Sequence, residues 1–310
     1  MLCSIIIPIF NRANILSESL NSIINQEFTN WECILVDDGS SDYSINIANT
    51  FSLKDSRFKV YKRPDFLLKG ANSCRNYGFN ISIGDCIQWF DSDDIMPSNY
   101  LLEKINILST DSCDIVVSNA KYFESDINIH SFNNNFLLNH NITAFDFISS
   151  QSWFQTSQTL IRRSIIKGFK PFNENLQRNQ ETEFFIRLLI QSCVLKYCYN
   201  TFVFIRKHNN SITGEYTSLP EGKRLLLDWP AYRLMYLTFK YNNALNMEIN
   251  NYFSKFFSRI LIKVDCNFKE YSKIFYFVIR YHLFSFEFAI KIYFLRTYSR
   301  FKKLFCLNFL

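Results

Sequence analysis

Short apolar runs alternate with longer polar segments of helical length along the first half of the chain. The apolar runs predict β-strands at residues 4–9, 31–36, 58–61, 86–90 and 114–118. Strands that alternate with helices are typical of βαβ units and of a mostly parallel sheet. Several of the runs are apolar at nearly every position, as expected where helices cover both faces of a sheet. We therefore expect an α/β fold whose ligands bind at the carboxyl ends of the strands.

The second half of the chain changes character twice. An asparagine-rich stretch at 125–141 predicts a loop or an irregular insertion. The pattern then resumes as strand, helix and strand, at 159–163, 179–192 and 194–206. Turn-forming residues cluster at 208–222. We expect a domain boundary in that cluster, with an α/β domain at 1–215 and a helical region at 216–310.

The composition is that of a folded chain with an aromatic core. Of the 310 residues 48% are hydrophobic, and 33 Phe and 17 Tyr stand against only 7 Gly. The nine cysteines are odd in number, and none has the C-x-x-C spacing of a zinc or redox site. We expect them to be reduced thiols in the core of a cytoplasmic protein.

Neither a secretory signal nor a membrane-spanning helix is expected. Only residues 1–3 precede the first predicted strand, and Asn11 and Arg12 end its apolar run. No window reaches the roughly 18 uncharged apolar residues that a spanning helix needs. The pattern therefore favours a cytoplasmic protein.

Positive charge is concentrated at the C-terminal end. Residues 269–310 contain eight Lys or Arg and two Glu, a net charge of +6, which equals that of the whole chain. The remainder is neutral overall, which argues against a nucleic-acid groove.

The same segment predicts an amphipathic helix. One narrow stripe of it is polar, formed by Lys273, Arg280, Glu287 and Lys291. A basic helix with aromatic residues on its other faces resembles an interfacial anchor on an anionic membrane surface. Packing of this helix against its own domain is the alternative.

The motif PIFNR, at 8–12, follows the first predicted strand. No G-x-G occurs anywhere in the chain, which excludes a dinucleotide-binding fingerprint, and no phosphate-binding glycine loop is present. By itself PIFNR is a weak signal, and the plain alternative, a strand end followed by a turn before a helix, is favoured.

The motif VDDGSSD, at 36–42, follows the second predicted strand. Its first two carboxylates can accept hydrogen bonds from a base or a ribose, and Gly39 permits a tight turn beside the ligand. The alternative is an Asp-Gly turn in which Ser40 or Ser41 caps the next helix.

The motif WFDSDDIMP, at 89–97, places three carboxylates within four positions behind a buried strand. Like charges in that position are unfavourable unless a cation or hydrogen bonds compensate them, and oxygen ligands suit Mg²⁺ or Mn²⁺. A metal-bridged diphosphate would fit. A solvated acidic turn, with Asp94 or Ser98 as a helix cap, is the alternative.

The ordered set of motifs resembles a known family. PIFNR, VDDGSSD, the segment KGANSCRNYG at 69–78 and FDSDD are similar to the successive motifs of family 2 glycosyltransferases of the GT-A type. The resemblance covers about residues 1–215 and is far more specific than any single motif. It implies a Rossmann-like, mostly parallel sheet flanked by helices, a nucleotide-sugar donor and inverting transfer.

The resemblance also assigns roles to the matching residues. The donor-binding residues would be Pro8, Phe10, Arg12, Asp37, Asp38, Arg75, Asn76 and Asp91. The first three, with Asp37 or Asp38, would hold the nucleoside. The two residues of the A-R-N segment, Arg75 and Asn76, would face the base or the diphosphate, and Asp91 would lie near the ribose. Asp93 would bind the divalent metal, Mn²⁺ or Mg²⁺. His208, at the end of the last strand, would approach the metal or the diphosphate, or would be structural.

The family's general base is an Asp six residues before an Arg on a helix. Here QETEFFIR, at 180–187, places Glu181 in that position, so a Glu replaces the usual Asp. Glu183 and Arg187 are four residues apart and predict an ordinary surface ion pair, whereas Glu181 points about 200° away from Glu183. The alternative role for Glu181 is a charge at the helix N-terminus, after a cap at Asn179.

The resemblance thus implies a glycosyltransferase with a hexosyl or N-acetylhexosaminyl donor, for which a UDP-sugar is favoured. Its acceptor would be a hydroxyl of a glycan or a lipid-linked molecule, in cell-surface polysaccharide synthesis at the inner face of the cell membrane. Two alternatives stay open. A sugar-phosphate nucleotidylyltransferase would need a glycine-rich loop after the first strand, and an inactive scaffold would keep the fold without the chemistry.

Overall fold

The computed structural model describes residues 1–110, 112–123, 142–207, 216–264 and 266–283. The chain divides into two compact units, Met1–Asn209 and Asn210–Leu310. The described part of the first unit is an α/β structure, and that of the second is helical.

The described strands of the first unit form one sheet of seven strands. They are β1 Cys3–Ile9, β2 Trp31–Asp37, β3 Phe58–Lys62, β4 Cys86–Trp89, β5 Ile115–Phe123, β6 Thr159–Arg162 and β7 Leu195–Arg206. Their order across the sheet is β3-β2-β1-β4-β6-β5-β7. All neighbouring pairs are parallel except those of β6, which is antiparallel to β4 and to β5. The prediction of a mostly parallel α/β sheet is confirmed.

Helices connect the strands. They are α1 Leu16–Ile24, α2 Ser44–Lys54, α3 Ala71–Ile81, α4 Tyr100–Thr110, α5 Ala144–Ile148 and α6 Gln180–Ile190. Short 3₁₀ turns occur at Thr156–Gln158 and Arg163–Ile166. The helix α1 shows why these segments are helical, since its buried Leu16, Leu20 and Ile23 recur at helical spacing and face the sheet side.

The aromatic residues pack into the core of this unit. The ring of Trp89, at the end of β4, lies 5.1 Å from that of Phe172 and 5.4 Å from that of Phe184 on α6. Edge-to-face contacts of this kind add to the gain from burial. They fix α6 and the loop before it against β4.

The cysteines of the described residues are free thiols. Seven of these eight side chains are buried, and Cys193 is half-buried. Burial raises the pKa of Cys74 and of Cys193 to about 12. Buried thiols of this kind are unreactive parts of the core.

The second unit contains three described helices, α7 Glu221–Tyr241, α8 Met247–Lys263 and α9 Phe268–Arg280. They meet through aromatic side chains, since the ring of Phe277 on α9 lies 5.2 Å from that of Trp229 and 5.5 Å from that of Phe257. On α9 the buried residues Tyr271, Ile274 and Phe277 form one face, while Lys273 and Arg280 are exposed.

The predicted amphipathic helix is shorter than the sequence pattern indicates. It ends at Arg280, because His282 adopts a left-handed conformation with φ of 51°. The N–H of His282 donates to the carbonyl of Ile279, and that of Leu283 donates to the carbonyl of Val278. This is a Schellman-type helix end. The prediction of one helix from Lys273 through Lys291 is therefore wrong. Glu287 and Lys291 lie outside the described residues.

No helix within the described ranges is long and apolar enough to cross a membrane.

Candidate active site

Three of the predicted motifs meet at one edge of the sheet. The strands β2, β1 and β4 are neighbours and run parallel, so the residues that follow them share the edge formed by their carboxyl ends. VDDGSSD, PIFNR and FDSDD follow these three strands in that order across the sheet. The sequence thus predicted correctly that these three motifs lie at the same edge of the sheet.

The PIFNR loop presents one aromatic and one cationic side chain. Pro8 is half-buried within β1, and Phe10 is 41% exposed, with the Lys69 ammonium 4.4 Å from its ring centre. The Arg12 guanidinium lies 3.8 Å from a carboxylate oxygen of Asp93. A cationic and aromatic loop beside carboxylates can bind a nucleotide base and its phosphates.

A neighbouring asparagine links this loop to the next one. Asn11 has a positive φ of 51°, and its backbone N–H donates to the hydroxyl of Ser40. Its side-chain oxygen accepts the N–H of Ser41. Asn tolerates the left-handed conformation, so it can turn the chain here and tie the two loops together.

The two carboxylates of VDDG have different partners. Asp37 is buried and accepts the backbone N–H groups of Gly39 and Ser40, so it shapes its own turn. Asp38 is buried against Arg63, whose Nε lies 2.5 Å from Asp38 Oδ1. Gly39 has φ of +85°, a conformation that suits glycine. The helix α2 starts without a side-chain cap, and neither Ser40 nor Ser41 is its N-cap.

The buried Arg75 forms an ion pair with the partly exposed Asp91. Nη2 of Arg75 donates to Asp91 at 2.7 Å, while Nε and Nη1 are buried without a hydrogen-bond partner. Asp91 is 33% exposed in its side chain. Buried guanidinium donors that lack partners mark a place where a ligand's oxygen atoms would be stabilised.

The side-chain amide of Asn76 is hydrogen-bonded within the protein. Its amide nitrogen donates to the carbonyl of Phe172 at 2.8 Å and to Glu174, and its amide oxygen accepts the N–H of Phe172. Both ends of the amide thus hold the loop before α6. The geometry favours a positioning role, and contact with the base or diphosphate stays a prediction.

The acidic turn after β4 is held from two sides. Arg206, at the end of β7, donates from Nε to the carbonyl of Asp93 at 3.2 Å, and its backbone N–H donates to Asp94. The hydroxyl of Ser19 on α1 donates to the carbonyl of Ser92 at 3.0 Å. These contacts fix the backbone beneath the Asp93 side chain.

Asp94 is buried in that turn, and one of its carboxylate oxygens lacks a hydrogen-bond partner. Burial is the main cause that raises the pKa of Asp94, and the charges of Asp91 and Asp93 add to it. An acidic cluster that suffers this repulsion would gain from a cation.

The residues present fit a divalent metal held jointly with a diphosphate. No three His, Cys, Asp or Glu side chains gather into a metal-binding group in the part of the chain that the structure describes. Mg²⁺ and similar cations are often held by only one or two carboxylates together with substrate phosphates. Asp93, at 17% side-chain exposure and next to two further carboxylates, suits that arrangement. His208 lies outside the described residues.

Glu181, in the first turn of α6, faces Arg75 and Asp91. Its Oε1 accepts the hydroxyl hydrogen of Thr156 at 2.7 Å, and the side chain is half-buried. Burial is the main cause that raises the pKa of Glu181 above its ordinary value, Arg75 acts against this, and Asp91 adds to it. A carboxylate with a raised pKa in a site is suited to take a proton.

The predicted ion pair of Glu183 and Arg187 is present, but the prediction that it lies at the surface is wrong. Glu183 is 5% exposed and accepts from Arg187 Nε at 2.7 Å. Arg187 also donates to the carbonyls of Lys170 and Pro171. The pair therefore fastens α6 to the preceding loop. The side chain of Asn179, the N-cap residue of α6, makes no capping hydrogen bond.

Several residues of the site were not found by sequence reasoning. Arg63, Thr156 and Arg206 each hold a carboxylate or its turn from a distant segment. No local pattern marks them, because each acts on a residue at least 25 positions away.

Comparisons with known proteins agree with this geometry. Residues 4–188 match the sequence profile described as glycosyl transferase family 2. "Glycosyltransferase GlyG" of Streptococcus pneumoniae is 34% identical over 132 residues, which cover 42% of this chain and 43% of that protein. "Poly(ribitol-phosphate) beta-glucosyltransferase" of Bacillus spizizenii is 34% identical over 123 residues, 39% of this chain and 19% of that protein. This chain thus spans less than half the length of these curated relatives.

A solved structure has the same fold. S. aureus TarS 1–349, in complex with UDP-GlcNAc, superposes with a TM-score of 0.67 at 16% identity, over 90% of this chain and 80% of that one. This likeness concerns the fold, which is the GT-A type that the motifs implied. The family profile covers more than half of the chain and contains every motif at the sheet edge as well as α6 up to Leu188. The chain belongs to glycosyl transferase family 2.

Proposed function

We propose that the protein is an inverting glycosyltransferase in which Glu181 is the general base. The observation that carries this proposal is the position of Glu181. Its side chain is half-buried, accepts a hydrogen bond from Thr156 and faces Arg75 and Asp91. Its pKa is raised above the ordinary value, mainly by burial. A base poised in this way can take a proton at neutral pH and release it afterwards. The catalytic part would be the domain at 1–215.

The reaction follows from that assignment. Glu181 takes the proton of an acceptor hydroxyl as the oxygen attacks the anomeric carbon of the donor sugar. The bond from that carbon to the diphosphate oxygen breaks on the opposite face, and its electron pair leaves with the nucleoside diphosphate. One displacement inverts the configuration, and no covalent sugar-enzyme intermediate forms.

The leaving diphosphate would be held by cationic groups. Arg12 and the unpartnered guanidinium nitrogens of Arg75 supply donors at the edge where it would lie. Asp93 would bind the divalent metal, Mn²⁺ or Mg²⁺, together with His208. A metal bound there would neutralise negative charge on the diphosphate.

The donor would be a UDP-sugar that carries a hexosyl or N-acetylhexosaminyl group. The family membership supports a nucleotide-sugar donor, and the fold shared with S. aureus TarS 1–349 in complex with UDP-GlcNAc supports uridine. Phe10 is exposed beside Lys69 and offers its ring to a base. Pro8, Asp37, Asp38, Asn76 and Asp91 would complete the donor site.

The acceptor would be a hydroxyl of a glycan or a lipid-linked molecule in cell-surface polysaccharide synthesis. A relative named as a glucosyltransferase that acts on poly(ribitol-phosphate) supports a polymeric acceptor. A cytoplasmic location at the inner face of the membrane would fit the basic C-terminal sequence. The apolar face of α9 is buried within the helical unit, so the proposed membrane contact is assigned to the basic sequence after residue 283.

The base assignment is tested by Glu181→Gln, which keeps the size of the side chain and removes its basicity. We expect UDP-GlcNAc to bind with unchanged affinity in calorimetry with Mn²⁺ while its slow hydrolysis, followed by chromatography of released UDP, is lost. The matched control is Glu248→Gln, since Glu248 is an exposed glutamate in the first turn of α8. Undiminished hydrolysis in Glu181→Gln would refute the assignment. If the unaltered chain binds no nucleotide-sugar, the alternative of an inactive scaffold is favoured.

A further inference from the structure

A cluster of buried polar side chains lies in the core below the candidate site. It consists of Gln88 on β4 and of Tyr100 and Lys104 on α4, all of them 0% exposed. Lys104 Nζ donates to Gln88 Oε1 at 3.1 Å and to the Tyr100 hydroxyl oxygen at 2.6 Å. Burial holds the pKa of Lys104 well below its ordinary value. Burial of a lysine ammonium in a protein core costs free energy of folding unless hydrogen bonds compensate the loss of water.

All three side chains bind one short segment, the 3₁₀ turn Thr156–Gln158. Gln88 Nε2 donates to the carbonyls of Thr156 at 3.3 Å and Ser157 at 3.0 Å. The Tyr100 hydroxyl donates to the carbonyl of Ser157 at 2.5 Å, and Lys104 donates to that of Gln158 at 3.0 Å. Every carbonyl of the turn is therefore fixed by the buried cluster.

The turn reaches Glu181 through Thr156. The hydroxyl of Thr156, itself 0% exposed, donates to Glu181 Oε1 at 2.7 Å. The backbone N–H of Thr156 also favours the charged carboxylate. Besides Thr156, Arg75 on α3 and Asp91 after β4 act on the charge of Glu181. A buried network thus ends on the carboxylate that would take the proton.

We propose that Thr156 is a positioning residue which holds the Glu181 carboxylate for proton abstraction, and that the cluster of Gln88, Tyr100 and Lys104 fixes Thr156 for this purpose. This inference rests on the proposed role of Glu181 as the base. It explains why a lysine, a glutamine and a tyrosine occupy core positions that apolar side chains would fill at less cost. A fixed hydrogen bond removes the rotamer freedom that would otherwise misplace the base.

The contact also has a predicted electrostatic effect. A hydrogen bond to the charged form of an acid lowers its pKa, so the Thr156 hydroxyl offsets part of the increase that burial causes at Glu181. Removal of the hydroxyl should raise the pKa of Glu181 further. Because a base acts in its deprotonated form, the acid limb of the activity profile should then move to higher pH.

The test compares Thr156→Val, which has the same shape without the hydroxyl, with Thr156→Ser, which keeps it. Carboxyl ¹³C NMR of glutamate-labelled protein gives the titration midpoint of Glu181, whose signal is assigned by its absence from Glu181→Gln. In parallel, hydrolysis of UDP-GlcNAc with Mn²⁺ is measured across pH. We expect Thr156→Val to have a higher midpoint, a matching shift of the acid limb and a kcat reduced roughly tenfold with unchanged KM. Thr156→Ser should resemble the unaltered chain.

The outcomes separate this inference from the proposed function. An unchanged midpoint and an unchanged acid limb in a folded Thr156→Val protein would overturn the inference, while loss of hydrolysis in Glu181→Gln would still support the base. If hydrolysis survives in Glu181→Gln, the proposed function fails, and with it the positioning role. Thermal melting confirms folding. If Thr156→Val does not fold, Thr156→Ala is measured in its place, with the same expected shift.

Discussion

Asp93 shows what a single carboxylate at the sheet edge is expected to do. Its side chain is 17% exposed, and Arg206 holds its backbone, so we expect the backbone of the turn to stay in place when the carboxylate is removed. Asp93→Ala should therefore remove Mn²⁺-dependent binding of UDP, measured by calorimetry, with little change in melting temperature.

The control for this change is Asp85→Ala. Asp85 is an exposed carboxylate just before β4, at the opposite edge of the sheet from Asp93, where no donor is expected. Its carboxylate accepts the backbone N–H of Leu2, so the variant should lose some stability but no affinity for UDP. Equal affinity for UDP in Asp93→Ala and in the unaltered chain would contradict the metal assignment.

Glu183 lies two residues from Glu181 but has a structural task. It is buried against Arg187, which also binds the loop before α6. Glu183→Gln weakens a buried charged hydrogen bond and should lower the free energy of unfolding by about 2 kcal/mol, measured by urea denaturation.

The expected loss of stability is larger than the small loss that an exposed surface ion pair would give. At temperatures where the Glu183→Gln variant is folded, it should keep most of its UDP-GlcNAc hydrolysis, unlike Glu181→Gln. A stable but inactive Glu183→Gln variant would show that the roles of the two glutamates are exchanged.

At the scale of elements, α3, the helix that carries Arg75, packs very closely on the sheet. A Cβ added at Gly78 would lie only 2.5 Å from the Ile6 methyl group on β1. Gly78→Ala should therefore destabilise the protein by about 1–3 kcal/mol in urea denaturation, despite the better helix propensity of Ala.

Asn80→Ala is the matched control on the same helix, because Asn80 is exposed. Its effect should stay within about 0.5 kcal/mol. If Gly78→Ala were equally mild, the contact between α3 and β1 would be looser than the structure has it.

At the scale of the whole molecule, the basic C-terminal sequence stays a proposed membrane contact. Residues 284–310 contain five Lys or Arg and one Glu, and each basic residue near an anionic surface contributes about 1 kcal/mol. Removal of 284–310 spares α9, whose apolar face is part of the helical unit. The shortened chain should no longer float with phosphatidylglycerol vesicles, whereas the full chain should.

Flotation at high salt and flotation of variants with fewer basic residues test whether charge causes the membrane binding. High salt should weaken the flotation of the full chain, because it screens the attraction. Replacement of Lys302 and Lys303 by Gln should weaken flotation in part. Equal flotation of the full and shortened chains would exclude these residues as the anchor.

The sequence by itself determined the α/β class, the edge of the sheet at which the motifs meet and the family. Strand runs such as those of β1 and β2 are local signals, because a buried parallel strand must be apolar at nearly every position. The motifs follow their strands directly, so parallel neighbours bring Arg12, Asp38 and Asp93 to one edge.

Only the tertiary structure decided the tasks of the individual side chains. Asn76 binds a loop 96 positions away, and Thr156 meets Glu181 across 25 positions. Glu183 pairs with Arg187, which binds the loop before α6. His282 ends a helix that the polar stripe alone would continue. Periodicity reports which face of an element is apolar, but the partner of a polar group depends on which distant segment packs against it, and folding alone sets that.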